Sequence, residues 1–177
     1  RSDDCQYVRA LMGRKEYSYL NYHWEDQKKV EDFLNRCLAY AIFGSNCHLH
    51  GEGKPKYYNN PDGDLRDKEL LDWFVPKVRM LHRAGWEPVT HAKVRNDQIM
   101  IERYGSGKTI YYTLLNTSGT KKDCNLTLDL EALNLEAGSF VVNEMARGKA
   151  LDQNQGPNQI SLELDPLKTC IVVIKKQ

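Results

Sequence analysis

From Arg83 to Gly105 the chain reads RAGWEPVTHAKVRNDQIMIERYG, and across this stretch the period of its apolar residues changes. Before it, apolar positions recur at the 3.6-residue spacing of helices, with short apolar runs in between. After it they alternate with period two, as in strands. A chain with such a switch has to build two kinds of layer and join them here. Gly85 reads as a helix stop, Trp86 as an apolar plug between the two parts, and Glu87-Pro88 as a turn into the first strand of the second part.

On the N-terminal side, YVRALM (7–12) reads as the last turns of a helix that Gly13 closes. YSYLNY (17–22) is a short aromatic strand, and it runs into the polar and aromatic group NYHWED (21–26). Val30, Phe33, Leu34, Cys37 and Leu38 then fall at i, i+3, i+4, i+7 and i+8, one apolar face of a helix. Lys28, Lys29, Glu31, Asp32 and Arg36 take its other faces. AYAIF (39–43) is continuous in apolar character, which predicts a second strand covered on both faces. It leads into GSNCHLHG (44–51). After a loop over 51–63, Asp64 is placed to cap a helix reaching Arg83, with Leu70, Trp73, Phe74, Val78 and Leu81 on its apolar face. Pro76 inside that pattern predicts a kink or a break. Strand, polar loop, helix, repeated, is a βαβα unit with a parallel sheet. Ligands of such units gather at the C-terminal ends of the strands, here the loops 21–26 and 45–50.

On the C-terminal side, NLTLDL (125–130) and QISLEL (159–164) alternate polar and apolar without a break. Further strands are expected at 99–104, 109–115, 139–143 and 169–175, joined by segments rich in Gly, Asn, Pro and Lys. Strands with one wet and one dry face make a small antiparallel β-sandwich. Asp97, Glu102 and Arg103 read as charges on the wet face of its first strand. The fold class is α/β plus all-β, with residues 1–92 forming the βα part and 93–177 the sandwich.

With 25 basic and 24 acidic residues the formal charge is +1, so no electrostatic argument points to nucleic acid or an anionic membrane. No apolar run approaches the roughly 18 residues of a membrane span. Five cysteines, at 5, 37, 47, 124 and 170, match no zinc spacing, and their odd number leaves at least one outside any internal disulfide. Two sequons, at Asn116 and Asn125, stand close together. Sequons and cysteines together lead to the expectation of a secreted or lumenal protein carrying disulfides and N-linked glycans at Asn116 and Asn125.

The strand–helix junction at 39–43, the helix DKELLDWFVPKVRMLHRAGWEPVT, the pair of strands in IERYGSGKTIYYTLLNTS, and the closing VVNEMARGKALDQNQ and ISLELDPLKTCIVVIKK together resemble the C-terminal part of certain glycoside hydrolases. Those enzymes, melibiase-like and related, carry a (β/α)8 barrel followed by an antiparallel β-sandwich. The resemblance covers most of the chain, and its motifs are structural. It implies that residues 1–92 are the terminal βα units of a TIM-type barrel, which needs about 250 residues to close. The rest of the barrel is then expected from a companion N-terminal chain or from a preceding part of the same precursor. The polar opening RSDDCQY, without an initiator Met, fits that expectation.

Glycoside hydrolysis uses two carboxyl groups on either side of the scissile bond. The acids near the two loops are Glu25, Asp26 and Glu52. Glu25 and Asp26 sit where the first turn of the following helix favours negative charge, which is the plainer reading of both. The catalytic pair is therefore expected outside this chain, and the chain alone is expected to be inactive. What it offers a carbohydrate ligand is a wall. Tyr22 and Trp24 can stack on a pyranose face, and Asn21, His23, His48 and His50 can hydrogen-bond to hydroxyls. His48-Leu49-His50 supplies at most two ligands, short of a metal site, and no cofactor is called for. The alternative reading is a non-catalytic, glycosidase-derived carbohydrate-binding or scaffold protein.

Overall fold

The structure, a computed structural model, describes residues 2–22, 26–49, 55–56, 68–145, 149–150 and 158–177. Helix α1 (Ser2–Met12) ends at Gly13, whose φ of 57° is the left-handed conformation that glycine adopts without strain. Strand β1 (Ser18–Tyr22) leads to α2 (Gln27–Ala39), and β2 (Phe43–Leu49) then lies parallel to β1. A two-residue β3 (Pro55–Lys56) pairs antiparallel with β2. At Gly44 the strand passes so close beneath α2 that a Cβ would meet Leu34 Cδ2 at 3.0 Å and Cys37 Sγ at 3.1 Å. Helix α3 (Lys68–Ala84) carries Pro76 without a break. The expected cap at Asp64 lies outside the described residues.

The strand expected over 39–43 is corrected. Helix α2 runs through Ala39, Tyr40 caps it, Ala41 turns at φ 48°, and the strand starts at Phe43. Residues 39–42 are all 2% exposed or less. A helix end, a tight turn and a strand start are all sunk in the core, and an unbroken apolar run reads the same for each.

The rest is β structure. Strands β4 (Trp86–Glu87), β5 (Ala92–Val94), β6 (Ile99–Tyr104), β7 (Thr109–Asn116), β8 (Lys122–Leu128), β9 (Phe140–Glu144), β10 (Lys149–Ala150), β11 (Gln159–Leu164) and β12 (Thr169–Lys176) follow in turn. They form a six-stranded sheet, β10-β9-β12-β7-β6-β4, and a three-stranded sheet, β11-β8-β5, with antiparallel pairings throughout. Both sheets draw in residues before 93, so the expected boundary after residue 92 falls inside β5.

Strands β8 and β11, on the outer sheet, show burial that alternates along much of their length, as expected for one wet face. Strands β7 and β12 do not. On β12, Val172 and Ile174 enter the core between the two sheets, while Ile171 and Val173 enter a second core with Leu34, Leu38, Phe74, Val78 and Leu81 from α2 and α3. The helices lie against the large sheet, and the molecule has three layers there. A strand covered on both faces loses its polar alternation.

Candidate functional site

The parallel pair sets the geometry of the expected site. Registers Leu20↔Ser45, Asn21↔Asn46 and Tyr22↔Cys47 bring the C-terminal ends of β1 and β2 side by side, and His48 follows one residue on, opposite Lys56 of β3. Of the expected sugar-site residues, Asn21, Tyr22 and His48 are thus gathered at one end of one small sheet. His23, Trp24 and His50 lie outside the described residues, as do Glu25 and Glu52. Asp26 is the N-cap of α2: its carboxylate accepts the Lys28 N–H at 2.9 Å. That role satisfies one of the helix's orphan donors and accounts for the acid without catalysis. Among the described residues no group of three His, Cys, Asp or Glu side chains is placed to hold a metal ion.

At the opposite end of the small sheet, where β1 and β2 begin, the C-terminus of α2 forms a buried polar hub that the sequence reading did not identify. The last carbonyls of a helix have no partner within it. Here Ala39 O accepts from Tyr104 Oη at 3.0 Å and Thr113 Oγ1 at 2.6 Å, both on the sandwich. Tyr40 O accepts from Arg9 Nε at 2.7 Å and Ala41 O from Arg9 Nη2 at 2.8 Å. Arg9 also donates to Gly13 O at 2.7 Å and is only 2% exposed. Burial pulls its pKa down, and burial drives the Tyr104 phenol well above its ordinary value. One turn earlier on α2, Asn35 Oδ1 accepts Thr169 N–H at 2.9 Å, and Thr169 Oγ1 donates to Asn35 O at 2.7 Å. The hub holds β1 and β2 fixed relative to the sandwich. Its signal was present in the sequence: Cys5, Val8, Arg9 and Met12 share one helical face, and an arginine on an otherwise apolar face needs buried acceptors.

The segment 83–105 is bound into both parts. Trp86 is half-buried and its Nε1 donates to Glu102 Oε2 at 2.6 Å, while β4 pairs with β6. Glu87 pairs with Arg14 of the βα part and lies 3.6 Å from Arg103. Glu102 and Arg103 are therefore not charges on a wet face, as the sequence suggested. Arg103 is 7% exposed, and burial raises the Glu102 pKa above the ordinary glutamate value. Asp97 is exposed, as expected.

The two sequons differ. Asn116 is 0% exposed, and its Nδ2 donates to the carbonyls of Thr120 at 2.8 Å and of Leu164 and Asp165 at 3.2 Å each. Its amide is committed to closing the sandwich, and the folded chain leaves no room for a glycan there. Asn125 is exposed, accepting a hydrogen bond from Ser161 Oγ at 2.7 Å. No disulfide joins the described cysteines. Burial pushes the Cys124 thiol up to about 12.

Among the described residues, two clefts lie between the helices and the sandwich. One, of about 450 Å³, is bordered by Lys29, Asp32 and Arg36 of α2 and by Leu115, Thr117 and Leu167. The other, of about 640 Å³, runs between Arg79 and Arg83 of α3 and the β6–β7 turn.

No protein-family model matches the chain, and no curated protein matches it in sequence. Its fold is similar to that of several solved glycoside hydrolases. Against α-galactosidase I from Mortierella vinacea the TM-score is 0.52 at 14% identity, covering 86% of this chain and 36% of that one. Against α-amylase from Geobacillus thermoleovorans it is 0.52 at 9% identity, covering 85% and 34%. Against a putative α-N-acetylgalactosaminidase from Bacillus halodurans it is 0.52 at 13% identity, covering 88% and 34%. The chain thus spans about a third of the length of the structures it matches, and the matched part is their C-terminal region.

Proposed function

We propose that this chain is the C-terminal portion of a secreted glycoside hydrolase-like protein. In this reading β1, α2, β2 and α3 are the terminal βα units of a (β/α)8 barrel. The strand ends form part of the wall of a sugar site, and the catalytic carboxylates come from a companion chain or a preceding part of the precursor. The observation that carries the reading is the parallel β1–β2 pair, its C-terminal ends in register, joined through a buried polar hub to a sandwich of the kind that ends these enzymes.

Two further observations support it. Among the described strands β1 pairs only with β2, so one edge of the parallel sheet stands open. Next to α2, helix α1 leaves Tyr7 and Leu11 exposed by 66% and 67%, a turn apart on one face. An open parallel edge and an uncovered apolar helix face are what the preceding βα units of a barrel would cover. The α-galactosidase, the α-amylase and the putative α-N-acetylgalactosaminidase carry α-glycosidase names, so aryl α-galactosides and aryl α-glucosides are the substrates to try first. Asn125 is the sequon at which a glycan fits this reading.

The test is denaturing mass analysis of native material, followed by turnover of those substrates by the assembled protein. A second, larger component or a longer precursor is expected, together with turnover. A folded, monomeric 20.5 kDa chain with no companion sinks the assembly. An assembly without turnover leaves the scaffold reading.

A further inference from the structure

Where α1 packs on α2, two thiols meet. Cys5 is 5% exposed and Cys37 is fully buried, and both belong to the core beneath the helices, where the two side chains are neighbours. The register of this contact is fixed a second time. Four residues on from each cysteine, Arg9 of α1 donates to Ala41 O at the end of α2 at 2.8 Å. The two helices are thus held by a guanidinium–carbonyl contact at one level, with the two cysteines neighbours in the core at the next. Neither thiol takes part in the strand-end site or in the hub.

We propose that Cys5 and Cys37 form a structural disulfide when the chain folds in an oxidising medium, tying α1 to α2. The electrons go to a low-molecular-weight disulfide such as glutathione disulfide. The Cys5 thiolate attacks one sulfur of that disulfide and releases one glutathione thiolate. The Cys37 thiolate then attacks the Cys5 sulfur of the mixed disulfide and releases the second. The protein loses two protons and two electrons, and one glutathione disulfide becomes two glutathione thiols.

In the folded chain the core encloses both thiols. Because both sulfurs are enclosed in the folded chain, the exchange takes place before α1 docks, and docking shields the finished bond from reduction. The bond closes a loop of roughly 30 residues and so restricts the unfolded chain.

The experiment is to refold the whole chain in a glutathione redox buffer, block the remaining thiols by alkylation, and map the peptides by mass. The expected result is a cross-linked peptide pair joining Cys5 to Cys37 in most of the folded population. Both residues alkylated in folded protein, or either cross-linked to another cysteine, overturns the proposal. A second readout compares urea unfolding with and without reductant. Reduction is expected to lower the wild-type folding equilibrium constant on the order of a hundredfold. The double variant Cys5→Ser/Cys37→Ser is expected not to respond. A wild type that ignores reductant overturns the structural role. The peptide map needs no variant, so it decides even if the serine chain does not fold.

Discussion

In the sandwich, β12 is paired on both sides, by β7 and β9, and covered on both faces; in the βα part, β1 is paired with β2 alone among the described strands, and α1 leaves Tyr7 and Leu11 in solvent. The sandwich pairs its strands with one another and fills the core between its two sheets, and it turns to α2 for the cover of one face and for the Thr169 N–H. The βα part instead relies on its neighbour. The carbonyls that end α2 are met by Tyr104 and Thr113 of the sandwich and by Arg9, and its apolar face rests on Leu115, Ile171 and Val173. The difference teaches which half leans on which: the sandwich uses the helices as a cover, and the helices rest on the sandwich both for donors to the last carbonyl of α2 and for the core beneath them.

The sharpest way to break that comparison is Arg9→Met. It keeps much of the apolar stem but leaves the buried carbonyls of Tyr40 and Ala41 without their donor. The expected loss is about 3–5 kcal/mol, the scale of an uncompensated buried polar cluster. Amide exchange should quicken across α1 and α2 while β8 and β11 stay protected. Uniform quickening in both halves would abolish the distinction.

Two neighbours on β12 come next. Ile171→Ala opens the helix-side core and Ile174→Ala the sandwich core, each at about 2–4 kcal/mol. Urea unfolding followed by both tryptophan fluorescence and exchange should show Ile171→Ala loosening the helices first. Ile174→Ala should lower the whole transition, because the helices cannot outlast the sheet beneath them. A smaller effect is expected from Tyr104→Phe. Thr113 still donates to Ala39 O, so the loss should be about 1 kcal/mol by urea midpoint.

The sandwich was legible where one face is wet. The strand at 159–164 has the bounds that alternation gives, and the helix stop at Gly13 needed only its own chemistry. Legibility failed where tertiary cover removed the pattern. Residues 39–42 looked like strand because every position is buried, whatever its backbone does. The run NLTLDL promised a strand to residue 130, yet β8 stops at Leu128, and Asp129 Oδ1 instead accepts from Ala132 N–H in the turn that follows. Trp86–Glu87 and Ala92–Val94 are too short to carry any period, and only their partners β6 and β8 make them strands. For the expected site, the parallel register alone brings Asn21, Tyr22 and His48 to one sheet end. The hub escaped because its partners are far apart in sequence: Arg9 with Ala41, Asn35 with Thr169.

The smallest expected effect tests whether the junction at Trp86 is tuned as well as packed. Glu102 has its carboxyl raised, first by burial; the Trp86 hydrogen bond and the Arg9 charge only partly oppose this. A carboxyl whose folded pKa exceeds its unfolded value binds more protons in the fold, so its contribution is greatest below the unfolded value. It is lost as pH rises through the raised folded value, and above that the penalty is constant. Glu102→Gln keeps an oxygen to accept from Trp86 Nε1 and removes the titration. The variant should therefore match the wild type in mild acid and gain slightly on it at neutral pH, seen as a Tm difference that opens between those two conditions. A wild type that gains on the variant as pH rises would mean that the charge is stabilised in place by Arg9. The edge strand β4 would then join the βα part through an ion pair and not through the buried indole.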